Sequence, residues 1–158
     1  MSAESLTAEL AWQEVVALHE FFEAWLRADG GATEFAVCER ALAPDFRMVA
    51  PNGEGQDRDT VIKQIRRARK TFSSDFRITV LDPSAIWTAE DAVLLEYTEQ
   101  QYRDGRSTRR RSTALFLASP SAPRRVEWRH LHETWMETAE EASTRGPVRT
   151  GEDSDEQA

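Results

Sequence analysis

The strongest constraint on the fold of this chain is a change in its hydrophobic period near residue 74. Before that point, apolar residues recur every three or four positions, which is typical of one face of a helix. After it, apolar and polar residues alternate over long runs, which is typical of β-strands. A chain of 158 residues with helices first and strands last is expected to form one α+β domain.

The N-terminal part predicts three helices and one short strand. The helices are expected at about 6–28, 33–42 and 58–71, and the strand at 46–50. The pair Gly30-Gly31 is predicted to end the first helix, since glycine readily adopts the left-handed conformation of a helix cap. Asp57 is predicted to cap the third helix at its N-terminus.

The C-terminal half predicts an antiparallel meander of four strands, at about 75–87, 91–103, 107–118 and 124–136. Asp104-Gly105 is typical of a hairpin turn, and Asp82-Pro83 predicts a break in the first of these strands. The later strands are apolar on both faces, whereas a sheet with one wet face alternates cleanly. We therefore expect one face to meet the helices and the other to form a homodimer with a second copy of the chain.

Composition excludes several classes of function. The net charge of −8 argues against a nucleic-acid partner, which requires a basic footprint. No apolar run reaches the roughly 18 residues of a membrane span, and no signal-peptide pattern opens the chain, so we expect a cytoplasmic protein without a membrane partner. The single cysteine, Cys38, excludes an internal disulfide and is expected to be buried. The domain is expected over 1–137, followed by an acidic disordered tail over 138–158.

Two stretches, taken with the order of the elements, resemble the nuclear transport factor 2-like superfamily. They are LAPDFRMVAPNGEGQDRDTVIKQI, and RRRSTALF together with the closing HLHET. This group includes SnoaL-like polyketide cyclases, ketosteroid isomerases and the kinase association domain. The resemblance implies a cystatin-like roll, in which a cone-shaped curved antiparallel sheet wraps around three N-terminal helices and leaves a pocket. It does not decide function, because the group contains both enzymes and non-catalytic binders.

The resemblance also implies where the groups of a ketosteroid isomerase would lie. Those positions hold Phe21, Ala50 and Ala114 in this chain. A phenyl ring donates no hydrogen bond and alanine moves no proton. We therefore do not expect isomerase chemistry by that triad.

Strand parity, taken with the resemblance, predicts a pocket that holds acid–base side chains. The catalytic candidates are Glu133 and Glu96 as bases, Arg129 as the anion stabiliser, and His132 as a reserve base. The pocket wall is expected to comprise Phe21, Trp25, Met48, Ala50, Thr98, Ser112, Ala114 and Leu131. Two carboxylates buried close together raise the pKa of one of them, which suits acid–base catalysis. The alternative is a purely structural ion pair between Arg129 and one of the glutamates.

Two further groups of charged residues have simpler interpretations. His130 and His132, followed by Glu137, resemble part of a metal-binding motif, but no second histidine-bearing segment follows, so we expect interface histidines and no metal or other cofactor. Arg106 and Arg109–Arg111 are expected to be a solvated cluster near a turn, with an anion-binding patch as the alternative. Two functions remain open: a cofactor-free isomerase, dehydratase or cyclase acting on a small metabolite, or a non-catalytic ligand-binding or dimeric interaction module.

Overall fold

The computed structural model describes residues 5–31 and 34–137. The helices are α1 (Ala8–Leu26), α2 (Phe35–Ala41) and α3 (Arg58–Arg67). The strands are β1 (Leu42–Val49), β2 (Gly55–Asp57), β3 (Arg77–Thr88), β4 (Ala92–Arg103), β5 (Arg106–Ala118) and β6 (Val126–Met136). The predicted α+β order is confirmed, and the predicted tail, 138–158, lies outside the described residues. Within the described ranges, no helix combines the length and apolarity required to cross a bilayer.

All six strands form one open sheet with the order β2-β1-β6-β5-β4-β3. Strands β3 to β6 make the predicted antiparallel meander, with the turn Asp104-Gly105 between β4 and β5. Strand β1 pairs with β6 in parallel, so the sheet is mixed, which corrects the expectation of an antiparallel one. A parallel pair requires a long crossover connection, and α3 together with the meander supplies it.

Two breaks in the strand registers decide which side chains face the helices. In β3 the register shifts after Leu81, at Asp82 with φ of 57°, as the Asp82-Pro83 pair predicts. In β6 the pairs Leu115–His130 and Phe116–Trp128 leave Arg129 as an extra, unpaired residue. This bulge places Trp128 on the same face as Leu131, although three positions separate them.

The core lies between α1 and the concave face of the sheet. Helix α1 begins at the Thr7 hydroxyl, which accepts from the Leu10 amide at 3.1 Å, and α3 begins at Asp57, as predicted. Cys38 is fully buried, as predicted, and burial raises the pKa of its thiol to about 12. Among the described glycines, only Gly53 and Gly105 have positive φ, so Gly30 is not a left-handed cap. A Cβ at Gly30 would lie 1.8 Å from the Ala24 carbonyl oxygen, so this position requires glycine for close backbone approach.

Candidate functional site

A cavity of about 220 Å³ lies between α1 and the concave face of the sheet. Helices α1 and α3 and strands β1, β3 and β6 supply mainly apolar walls, and five polar or charged residues project into it from α1 and the meander: His19, Glu99, Gln101, Arg110 and Glu133. An engineered apolar cavity of about 150 Å³ already binds benzene. This cavity is therefore large enough for a small organic ring with a substituent.

His19 and Glu99 form a buried ion pair at the cavity wall. The His19 Nδ1 atom lies 2.6 Å from the Val15 carbonyl oxygen, and Nε2 lies 3.2 Å from Glu99 Oε2. A carbonyl and a carboxylate only accept hydrogen bonds, so both ring nitrogens donate and the imidazole is a cation. Burial by itself lowers the pKa of His19, but the charge and hydrogen bond of Glu99 outweigh burial and raise it.

Glu99 is correspondingly held as the anion. Burial by itself raises its pKa, but the charge and hydrogen bond of His19, with help from Arg110, lower it to about 2. The Gln101 side-chain amide also donates to Glu99 Oε1, at 2.6 Å. A fixed negative charge thus lies beside the cavity.

Glu133 has the opposite electrostatic environment. Its side chain is buried, and Arg110 Nη1 donates to its Oε2 atom at 3.3 Å. Burial, and then the negative charge of Glu99, raise the pKa of Glu133 to about 7, although Arg110 and His19 oppose the shift. A carboxyl with such a pKa exchanges its proton near neutral pH, which is the property a general acid–base requires.

The strand register explains why these side chains meet. Glu99 lies opposite Arg110 on β5, and Ser112 lies between Tyr97 and Glu133. Directly opposed residues share a face of the sheet, so all five point toward α1. His19 then contacts Glu99 from the helix.

Two predicted pocket residues of β4 lie on the opposite face. Glu96 pairs with Arg111 at 2.8 Å, and Thr98 lies directly opposite Arg111, both on the outer side. The strand is apolar on both faces, so its pattern alone could not decide which set points inward. The buried glutamate that β4 supplies to the cavity is therefore Glu99, on the concave face of the sheet, and not Glu96 as predicted.

Two predicted catalytic residues of β6 also lie outside the cavity. Arg129 is the extra residue of the bulge and pairs with Asp45 near the surface, at 3.1 Å. His132 lies opposite Thr113 on the outer face and is exposed. Of the four catalytic candidates, only Glu133 reaches the cavity.

Apart from Thr98, the predicted wall residues divide into three groups. Met48 and Leu131 line the cavity. The others on the concave side are buried in the core without lining the cavity: Phe21, Trp25, Ser112 and Ala114. Ala50 follows the end of β1 and does not line the cavity. The prediction missed His19, Glu99 and Arg110, although His19 follows Val15 by four positions and therefore lies on the apolar stripe of α1.

A second buried charged group orients one wall of the cavity. Glu14 is fully buried and accepts from Arg124 at 2.5 and 3.0 Å and from the Trp128 indole at 3.1 Å. Burial raises the pKa of Glu14, although the two donors oppose the shift. The Trp128 ring, which lines the cavity, is thus fixed at its nitrogen.

The outer histidines, His130 and His132, are the candidates for a metal site. Across residues 5–31 and 34–137, no group of three histidine, cysteine or acidic side chains is arranged to hold a metal ion. His130 faces outward opposite Leu115, and burial, and then the neighbouring His132, lower its pKa.

No protein-family model matches this sequence, and comparison with curated proteins yields no match either. Solved structures do match. An NTF-2 like protein of unknown function from Pseudomonas aeruginosa is 26% identical, with a TM-score of 0.74 over 81% of this chain and 99% of that one. The CaMKII hub of S. rosetta is 12% identical, with a TM-score of 0.66 over 86% and 99% of the two chains.

A third structure carries the name of an activity. It is a Streptomyces avermitilis protein of the NTF2-like family, provisionally named a dehydratase, and it is 15% identical with a TM-score of 0.62. The match covers 82% of this chain and 96% of that one. The chain therefore has the nuclear transport factor 2-like fold, which confirms the resemblance predicted from the sequence.

Proposed function

We propose that the protein binds a small organic molecule in the cavity and catalyses proton transfer on it, with Glu133 as the acid–base group. This proposal depends on one observation: Glu133 lies on the cavity wall, and its pKa is raised to about 7. The reaction is an isomerisation, dehydration or cyclisation, because each begins with removal of a proton from a substrate carbon and ends with delivery of a proton. The proton goes to a second carbon in an isomerisation and to a hydroxyl that departs as water in a dehydration. In a cyclisation it goes to the oxygen of the carbonyl group that the new carbon–carbon bond joins. The provisional name of the Streptomyces avermitilis protein supports the same class of chemistry.

The neighbouring side chains have complementary roles in this proposal. Glu133 accepts a proton from a carbon next to a substrate carbonyl group. The C–H electron pair forms a carbon–carbon double bond, the π pair of the carbonyl moves onto its oxygen, and Glu133 then delivers the proton to a second atom as those electrons return. The Arg110 guanidinium, which is partly buried beside Glu133, stabilises the developing negative charge. The Glu99 anion keeps the pKa of Glu133 high, so that Glu133 holds a proton to return.

Exchange of ligand hydrogens with solvent tests this proposal before a substrate is known. Ligands selected by thermal shift are incubated with the protein in D₂O, and their C–H signals are followed by proton NMR. We expect at least one ligand to exchange, and Glu133→Gln to slow that exchange by about 10²-fold or more, because an amide does not take up the proton. Glu96→Gln is the matched control, since Glu96 lies on the outer face.

The alternative is a non-catalytic module with the same pocket. The ion pair between Glu133 and Arg110 favours it, because such a pair also serves a purely structural role. Ligands that bind tightly but exchange no hydrogen, or that exchange equally with wild type and Glu133→Gln, would decide for the binding module.

We also propose that the outer face of the sheet forms a homodimer. Trp87, Leu94, Leu115 and His130 form one row across that face, and the Trp87 side chain is 53% exposed. A row that contains three neighbouring large apolar side chains is typical of an interface. The fold similarity to a CaMKII hub and to a calmodulin-dependent kinase association domain is consistent with assembly.

Light scattering at micromolar concentration is expected to give twice the 18.0 kDa chain mass. Leu115→Glu should return the protein to a monomer, because it buries an unpaired charge in the interface. Gln13→Glu adds the same charge at an exposed position of α1 and should leave the dimer intact. A monomeric wild type, or a Leu115→Glu dimer as strong as the wild type, would contradict the proposal.

A further inference from the structure

The concave face of the sheet continues past the cavity to the hairpin between β4 and β5. There a second hollow has a volume of about 480 Å³. Its lining includes Arg103, Asp104, Arg106, Trp135 and, on β5, Thr108. Gln101 and Arg110 line both this hollow and the cavity. The two spaces therefore adjoin each other. We call the hollow next to the hairpin, at Arg103, Arg106 and Trp135, the arginine rim.

The arginine rim concentrates positive charge in a protein whose net charge is −8. Arg103 lies directly opposite Arg106, and like charges in directly opposed positions destabilise a sheet. Arg110 adds a third guanidinium. Of the described residues that line the rim, Asp104 alone is acidic. Its Oδ2 atom lies 3.9 Å from Arg103 Nε, and its Oδ1 atom accepts a hydrogen bond from the Ser73 hydroxyl. An anion between the two arginines would relieve their repulsion.

Aromatic rings hold two of these guanidinium groups in position. Arg103 lies over the Phe72 ring at 4.2 Å, and Arg110 lies over the Trp135 ring at 4.7 Å. Stacking of this kind orients the planar guanidinium and leaves its edge free to donate. Arg110 also donates to Glu133 in the cavity, so one side chain connects the rim to the proposed acid–base group.

We infer that the arginine rim binds an oxyanion, a carboxylate or a phosphate, on a substrate whose apolar part occupies the cavity. Guanidinium groups match both oxyanions in geometry and charge, and such hydrogen bonds are among the stronger ones in proteins. The substrate class is thus an amphiphilic organic acid or phosphate ester. This inference deepens the proposed function, and it rests on that proposal only for the apolar part in the cavity.

Three probes that share one apolar body test the inference: 6-phenylhexanoate, 6-phenylhexyl phosphate and the neutral 6-phenylhexanol. Binding is measured by calorimetry at pH 6, where Glu133 mostly retains its proton. We expect at least one anionic probe to bind about tenfold more tightly than the alcohol, from charge-assisted hydrogen bonds at a partly solvated site. The anionic probe whose affinity exceeds that of the alcohol by the larger factor identifies the preferred oxyanion. Either preference supports anion binding at the arginine rim.

Arg103→Gln and Arg106→Gln should each remove most of that gain and leave binding of the alcohol unchanged. Arg109→Gln is the matched control. Arg109 carries the same charge as Arg106 and lies on the same strand, but its position, opposite Gln100 in the sheet, is on the outer face. If the alcohol binds as tightly as both anions, or if the gain survives the loss of Arg103 and Arg106, the rim is not an anion site although the cavity proposal stands. If none of the probes binds, both the rim and the proposed ligand cavity are overturned.

Discussion

Replacing Arg124 with methionine should lower the free energy of unfolding by about 3 kcal/mol, because it leaves Glu14 without its cationic partner. The Glu14 side chain has no solvent exposure, so water cannot replace the lost guanidinium. The cost should grow as pH rises above the usual range for glutamate, since ionised Glu14 suffers most from burial. Urea unfolding at pH 5 and pH 8 measures both effects.

Two further variants separate loss of the ion pair from loss of packing. Arg125→Met changes the adjacent, exposed arginine and should have little effect. Adding Glu14→Gln to Arg124→Met should recover part of the lost stability, because a neutral amide still accepts from the Trp128 indole without a charge to bury. If Arg124→Met and Arg125→Met unfold alike, the Glu14 group does not stabilise the fold.

The free energy of unfolding should also fall as pH rises, because of Glu133. Its pKa in the folded protein is about 7, above the value of 4.5 expected for the unfolded chain. At pH 4 the Glu133 carboxyl is mostly protonated in both the folded and the unfolded protein. Its ionisation therefore changes the free energy of unfolding very little at that pH. As pH rises through 4.5 to 7 the unfolded chain ionises first, and the folded protein loses about 3 kcal/mol relative to it. Above pH 7 that loss is complete.

Glu133→Gln removes this titration because glutamine stays neutral. The variant should therefore gain about 3 kcal/mol relative to wild type between pH 4 and pH 8, in urea unfolding followed across that range. Glu20→Gln, at an exposed position of α1, is the control and should run parallel to wild type. A Glu133→Gln curve that also runs parallel would show that Glu133 has an ordinary pKa.

The fold was predictable because its signals are local and repeat many times. The change of period near residue 74 set the order of helices and strands, and Asp104-Gly105 set the hairpin. Pairing of β1 with β6 was not predictable, since the two strands are distant in the sequence and no local signal links them. The resemblance to a known fold supplied the cone that periodicity alone does not determine.

The site was only partly predictable, and strand parity shows why. Strand β4 is apolar on both faces, so a choice between Glu96 and Glu99 required knowing which side α1 covers. In β6 the bulge at Arg129 breaks the two-residue period and moves Trp128 to the concave face, which no pattern in EWRHLHETWM indicates. Glu133, which the resemblance places in the pocket, lies beyond that bulge and lines the cavity.

The proposed function requires that the Glu133 carboxyl, beside the cavity, titrate near neutral pH. Carbon-13 NMR of protein labelled at the glutamate side-chain carboxyl carbon measures this directly, with Glu133→Gln to assign the signal. We predict that one glutamate signal titrates with a midpoint near pH 7 and disappears in Glu133→Gln. If the signal that disappears in Glu133→Gln titrates below pH 5 in the wild type, Glu133 is an ordinary anion and the proposed acid–base role is wrong.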